Sequence, residues 1–271
     1  MRASSLKNFQ KTVWAYYYAH KRSFPWRATR DPYRILISEI MLQQTQVERV
    51  LQKYDMFLAR FPDFESLADA TQKEILGIWQ GLGYNRRALF LHSLAQIVRE
   101  QHGGVLPSDP DLLDALPGIG RATAGAVAAF AFLVPVPFIE TNIRRVFLHF
   151  FFPRILRVED KKILLCVDAT LDRENPREWY YALMDYGAML GNKEKINPNR
   201  RWAQYCIQSR FAGSDREIRG KIIRLLIAAP GLSREMLSHL LAEPPARIRR
   251  IITALKKEGF LSNETRDIRL A

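Results

Sequence analysis

Leu116-Pro117-Gly118-Ile119-Gly120-Arg121, continued by Ala122-Thr123-Ala124-Gly125-Ala126, is the stretch on which the reading of the chain turns. Before it, Asp109 to Ala115 reads as a short helix that opens on acidic residues and carries Leu112, Leu113 and Leu116 on one side. Pro117 and Gly118 stop that helix, and the Ala-rich run Arg121 to Phe132 starts another. A two-glycine turn lets the backbone N–H groups of the second helix approach an anion with no Cβ in the way. The same residues would also make an ordinary corner between helices, so the motif takes its meaning from its surroundings.

Those surroundings are basic. The 271 residues hold 41 Lys and Arg against 28 Asp and Glu, a formal net charge of +13. The cations recur along the whole sequence, which points to a folded binder of a polyanion, first of all nucleic acid. This length buries a full core in one large or two smaller domains. The only cysteines, Cys166 and Cys206, form no CxxC pair, so no metal or other cofactor is expected and both read as reduced, buried or half-buried thiols. Met1 to Gln10 has no apolar core of a signal peptide, and no segment has the length of a membrane span. The expectation is a cytoplasmic, nucleoid-associated protein. The most apolar run, Val146 to Phe152, follows Arg144 and Arg145 and reads as the buried part of a helix.

Period-two alternation is scarce and helical periodicity abundant, so the predicted fold class is all-α. Helices are expected over Leu6–His20, from Asp31-Pro32 onward, and over 46–60, 63–70, 72–79, 85–102 and 121–132. Further ones are expected near Thr141 and over 161–171, 179–189, 217–228, 234–241 and 246–258. Gly81-Leu82-Gly83 breaks the pattern, and Gly191 to Arg201 reads as a polar, basic loop. After Gly213-Ser214 three helices and Gly259-Phe260-Leu261 resemble a winged helix with a small β-wing. Arg247, Arg249 and Arg250 on its third helix favour nucleic-acid contact over protein docking.

Several stretches stand in a fixed order around the hairpin: Pro25-Trp26-Arg27, Asp31-Pro32-Tyr33, Ser38-Glu39-Ile40-Met41-Leu42-Gln43-Gln44-Thr45-Gln46-Val47, Gly81-Leu82-Gly83-Tyr84 and Glu140-Thr141-Asn142-Ile143-Arg144-Arg145. Together they resemble the helix-hairpin-helix DNA glycosylase superfamily, most of all its MutY-like adenine glycosylase branch. The resemblance covers roughly the first two hundred residues. It implies a two-lobed helical region over 1–212, with a central lobe about 28–134, a second lobe from 1–27 plus 135–212, and a cleft beside the hairpin. Residues 213–271 would form the winged-helix-like domain.

The resemblance also implies roles. A glycosylase flips its target nucleotide out of the stack and fills the gap it leaves. Gln43 and Gln44 match the gap-filling residues, and Tyr84 a minor-groove or intercalating contact. Gly118, Ile119, Gly120 and Arg121 would hold a phosphate, with Arg144 and Arg200 as further DNA contacts. Glu39 matches the general acid that protonates the departing base, a role suited to a carboxylic acid on an otherwise apolar helix. Glu140 stands where the superfamily usually has Asp and would stabilise the oxocarbenium-like sugar. Arg27, Ala122, Tyr181 and Asn142 would line the base pocket. Bifunctional members carry Lys where this chain has Ala122, so hydrolysis without strand cleavage is expected. Adenine-specific relatives place Glu or Gln where this chain has Tyr181. The family's four-cysteine iron–sulfur loop corresponds to Gly191–Ile207, with Pro198 and Arg201 at cysteine positions. Asn197, Asn199, Arg200 and Trp202 are expected to tie that loop down instead.

The expected activity is that of a monomeric, monofunctional DNA glycosylase of base excision repair, acting on double-stranded DNA that carries a mismatched or damaged base. Adenine is the first candidate; uracil, thymine or another damaged base is the alternative. A non-catalytic binder or winged-helix regulator on the same scaffold is the alternative from another class.

Overall fold

The computed structural model describes residues 3–193, 197–208, 210–262 and 267–271. Fourteen helices fill them: α1 Ala3–His20, α2 Pro32–Leu42, α3 Val47–Arg60, α4 Phe64–Ala68, α5 Gln72–Trp79, α6 Arg86–His102, α7 Pro110–Asp114, α8 Arg121–Phe132, α9 Thr141–Phe150, α10 Asp160–Thr170, α11 Pro176–Lys193, α12 Asp215–Ala228, α13 Arg234–Leu241 and α14 Pro245–Lys257. Short 3-10 turns form at Pro25–Arg27 and Pro198–Arg201.

Local chemistry places the boundaries. Asp63 and Thr71 build reciprocal capping boxes with Ser66 and Glu74, and Asp109 accepts from the Asp111 and Leu112 amides. Ser214 and Ser233 cap α12 and α13 in the same way. Gly103, at φ 60°, closes α6 in the left-handed conformation that glycine adopts without a Cβ penalty. The helix α11 runs longer than the periodicity suggested, to Lys193, so the basic stretch begins inside it. Lys195 of that stretch lies outside the described residues.

The chain divides into two compact units, 1–39 with 106–207, and 40–105 with 208–271. This differs from the expected 28–134 lobe, and α8 shows why. Ala126, Ala129 and Phe130 sit in one apolar cluster with Phe9 and Val13 of α1, Ile143, Val146 and Phe147 of α9, and Trp179, Tyr180 and Leu183 of α11. Burying these large side chains is worth roughly 1.5–3 kcal/mol each, which commits α8 to the first unit. Val146, Phe147 and Leu148 are buried, as their apolar run indicated.

The second unit packs α4 and α5 on α6, α3 on α5, and α12 on α5. Residues 213–271 therefore share this unit with 40–105 and do not cluster alone. Among the described residues the wing consists of isolated antiparallel bridges, Leu232 with Ile268 and Leu261 with Leu270. Arg247 is committed to the fold: its guanidinium donates to Asp215 (3.0 Å), Glu243 (2.8 Å) and the Gly213 carbonyl (2.6 Å). Arg250 also pairs with Asp215, at 2.7 Å, while Arg249 is exposed to solvent. Cys166 is buried and Cys206 exposed, the latter contrary to expectation. Among the described residues no helix is long and apolar enough to cross a membrane.

Candidate active site

The carboxylates Glu39 and Glu140 both belong to the first unit, and their charges act on one another. Glu39 lies near the end of α2, on a helix whose Ile35, Leu36, Ile37, Ser38, Ile40 and Met41 are all buried. Loss of hydration pushes its carboxyl up to about 8; the Glu140 charge adds to this and Arg27 opposes it. A carboxyl so placed stays protonated near neutrality, the state a general acid needs.

Glu140 is the residue before α9 and caps it. One carboxyl oxygen accepts from the backbone N–H groups of Asn142 and Ile143, both at 2.7 Å, and the other from Asn142 Nδ2 at 3.3 Å. Burial raises its pKa, opposed by those two N–H groups and by the charges of Arg144 and Arg145. The helix N-terminus thus fixes the position of this carboxylate, which a substitution of Glu for Asp left open in the sequence.

Asn142 is held in turn. Its Oδ1 accepts from Arg145 Nη1 at 2.9 Å, so its Nδ2 must face Glu140; Arg145 also donates to the Gly187 carbonyl at 2.6 Å and to Asn197 Oδ1 at 3.3 Å. Asn199 Nδ2 donates to the Thr141 carbonyl at 3.1 Å. The close approach of α9 and α11 needs glycine: a Cβ on Gly187 would overlap the Asn142 carbonyl, and one on Gly191 the Arg145 guanidinium. Gly187→Ala should therefore lower the activity of this site by on the order of 10²-fold through displacement of the α9 N-terminus. Gly191→Ala displaces only a flexible side-chain end and should lose less. Single-turnover excision by both variants, with thermal melts beside it, checks the order; equal or absent losses would refute it.

Two of the four expected pocket residues, Arg27 and Tyr181, share one network with Asp185. Arg27 donates from both terminal nitrogens to Asp185, at 2.9 and 2.8 Å, and Arg22 Nε joins at 2.7 Å. Burial would raise Asp185, but Arg27 and Arg22 hold it below the usual carboxylate range. Tyr181 is buried, stacked on Phe130 (centroids 4.5 Å apart), with the Arg27 guanidinium 4.4 Å above its ring. Arg177 donates to the carbonyls of Phe130, Arg27 and Thr29 and braces the same corner. The Arg27 charge opposes the burial-driven rise of the Glu39 carboxyl, and the Glu39 charge in turn adds to the burial-driven rise of the Tyr181 phenol. Ala122 is exposed on the first turn of α8.

The hairpin joins α7 to α8. Gly118 has φ 78°, Ile119 is buried, and Gly120, the residue before α8, supplies no side-chain cap. Such a terminus suits a phosphate. The Arg121 side chain is 97% exposed, with Asp114 3.8 Å away, so the cation stands in solvent beside it. Arg200 is exposed as well. Arg144, by contrast, is taken by the fold, bidentate to Asp160 at 2.9 and 2.8 Å and 4.0 Å above the Trp202 ring.

Gln43, Gln44 and Tyr84 belong to the second unit. The helix α2 ends at Leu42, so both glutamines lie in a turn, Gln44 at φ 54° and exposed. Sequence reasoning missed Arg87. It is 8% exposed and donates to the carbonyls of Ile40 (2.7 Å), Met41 (2.8 Å), Leu82 (3.2 Å) and Gly83 (2.9 Å), and to Thr45 Oγ1 (2.9 Å). Burial lowers its pKa to about 10. The signal available was Arg87 itself, a cation between Arg86 and the apolar Ala88-Leu89-Phe90-Leu91 run.

The loop from Asn197 to Ile207 does not fit an iron–sulfur cluster, which needs several thiolates: its sole cysteine is Cys206. Arg201, at one expected cysteine position, donates instead to the carbonyls of Pro153 and Leu148. Val158 and Trp202 form a parallel bridge that pins the loop. Among the described residues no group of three or more His, Cys, Asp or Glu could hold a metal ion.

A family model described as HhH-GPD superfamily base excision DNA repair protein matches residues 37–173. The chain is similar to the adenine DNA glycosylase of Mycolicibacterium smegmatis, 34% identical over 273 residues, covering 94% of this chain and 93% of the relative. It is 33% identical to that of Buchnera aphidicola subsp. Baizongia pistaciae over 191 residues, 69% of this chain, and there it spans about half of the relative (54%). Among solved structures it is similar to a thermostable thymine-DNA glycosylase, with a TM-score of 0.64 and 28% identity over 72% of this chain and 91% of the other.

Proposed function

The chain belongs to the HhH-GPD superfamily of base excision DNA repair proteins, and on that premise we propose that it is a monofunctional DNA glycosylase whose first substrate is adenine in a mismatch. The observation that carries the reading is Glu39, an acid held protonated near neutrality beside a carboxylate pinned on a helix N-terminus.

In the proposed reaction the protein works as a monomer on chromosomal duplex in the nucleoid. The hairpin holds the backbone, Gln43 and Gln44 fill the gap, and the flipped base departs with the electron pair of the C1′–N bond. Glu39 gives that base its proton. Glu140 faces the cationic sugar. Water adds to C1′, and its proton returns to Glu39, so acid and enzyme are regenerated. With Ala122 in place of lysine, no amine attacks C1′ and the strand stays intact.

A second reading, thymine or uracil opposite guanine, is favoured by the likeness to the thymine-DNA glycosylase and by the absence of a carboxylate or amide at Tyr181. One experiment separates the readings. Duplexes with single adenine, thymine, uracil or damaged-base mismatches are incubated with the protein and then treated with alkali. Breaks at adenine that need alkali, and that fall on the order of 10²–10³-fold in Glu140→Gln, are expected. Breaks confined to pyrimidines would select the second reading. Tight binding with no breaks across the panel would return the chain to the non-catalytic class, and full excision by Glu140→Gln would remove Glu140 from the mechanism.

A further inference from the structure

Tyr84 closes the Gly81-Leu82-Gly83 turn in the left-handed region, at φ 47°, with the residue 37% exposed. Arg87 secures its backbone: the Tyr84 carbonyl accepts from the Arg87 backbone N–H at 2.9 Å and from Nε at 3.4 Å. The phenol end is secured from another part of the second unit. Arg216 Nη1 donates to its oxygen at 3.0 Å, and Gln208 Nε2 donates to the same oxygen. These residues lie 132 and 124 positions further along the chain.

The mounting of Arg216 is itself firm. It sits in the first turn of α12, capped by Ser214, whose side chain accepts from the Glu217 amide. Arg247 of α14 grips both ends of the approach to it, through the Gly213 carbonyl and Asp215. The arginine that was expected to meet nucleic acid holds the platform of one that reaches Tyr84.

We propose that Gln208 and Arg216 make the C-terminal part of the chain a positioning element for Tyr84, fixing its phenol for entry into the minor groove of the duplex. The inference rests on the reading of Tyr84 as a duplex contact. With two donors on the phenol oxygen, the O–H proton points away from both, free to meet an acceptor of a partner. The minor groove offers acceptors at every base pair, purine N3 and pyrimidine O2. Fixing the ring beforehand removes an ordering cost from binding. Arg216 is thus a positioning residue that acts through Tyr84.

The test is a double-substitution cycle read as duplex affinity, by fluorescence anisotropy on mismatch-bearing DNA at several salt concentrations. Tyr84→Phe keeps the ring and removes the oxygen. Arg216→Ala should weaken binding about fivefold, the cost of one newly mobile side chain, in the protein with Tyr84. In the Tyr84→Phe background it should have no further effect, and Gln208→Ala should behave likewise. Arg216→Lys keeps a donor and should recover most of the loss, which a mere packing role would not predict. An undiminished effect of Arg216→Ala in the Tyr84→Phe background, with the salt slope reduced by about one, would make Arg216 a phosphate ligand and overturn the proposal. No loss in Arg216→Ala would overturn it too. The underlying reading fails on a different observation: Tyr84→Ala binding as well as the unaltered protein.

Discussion

Glu39→Gln should give a protein that is folded, more stable than the parent at pH 8, and nearly inactive. The two halves come from one cause. In the unfolded chain the Glu39 carboxyl titrates near 4.5, and in the fold near 8. Below pH 4.5 both states hold the proton and the group is neutral to stability. Between these values the unfolded chain releases a proton that the folded one keeps, so stability falls as pH rises. Above about 8 the full cost of burying the anion beside Glu140 is present. A tenfold change in proton affinity is worth about 1.4 kcal/mol, so glutamine should recover on the order of 2–4 kcal/mol at pH 8. At pH 4.5 it should recover almost nothing. Denaturant melts at the two pH values measure this directly; equal effects of the substitution at both would refute the raised carboxyl.

The activity half has its own pH signature. Loss of the proposed proton donor should cost on the order of 10²–10⁴-fold in single-turnover excision. The unaltered protein should also lose activity as pH rises through about 8, where Glu39 ionises, and the residual rate of Glu39→Gln should not follow that limb. If the alkaline limb persisted in the variant, the titrating acid would be another group. A site that is destabilised where it works is the ordinary trade of function against stability.

Much of this was legible from the residues. Asp63, Thr71, Asp109, Ser214 and Ser233 carry their helix-start signals in the sequence, and the observed caps use those side chains. Glu39 stood out because a carboxyl interrupts an apolar helix. What the sequence hides is the partner of each cation. Arg27, Arg144 and Arg247 look alike as letters, yet they close on Asp185, Asp160 and Asp215, residues 158, 16 and 32 positions away. Such pairings depend on tertiary packing and leave no periodic trace. The division into units escaped for a similar reason: whether α8 packs with what precedes or follows it depends on which apolar stripes meet.

Arg87→Met is the substitution expected to harm the second unit most. The buried guanidinium serves four carbonyls and a hydroxyl at once. Two of them, Ile40 and Met41, belong to the last turn of α2, where carbonyls lack helical partners and the dipole favours a cation. Two others, Leu82 and Gly83, form the turn that presents Tyr84. Methionine fills the space and supplies no donor: the Ile40 and Met41 carbonyls lose the cation, while the Leu82 and Gly83 carbonyls keep only Thr45 Oγ1 and Trp79 Nε1, at a cost of about 3–5 kcal/mol. Lysine, with three donors in place of the planar fork, can meet only some of them and should fall between. The loss should extend beyond stability. Gln43 and Gln44 follow α2 directly, so one side chain sets the bearing of both glutamines and of Tyr84. At a temperature where the variants are still folded, Arg87→Lys should lose discrimination between mismatch-bearing and matched duplex while general affinity for DNA changes little, because no phosphate contact is removed. Melting curves and paired affinity measurements decide it. Arg87→Met with the parent's melting temperature, or Arg87→Lys with undiminished discrimination, would show that the guanidinium is incidental to the turns around it.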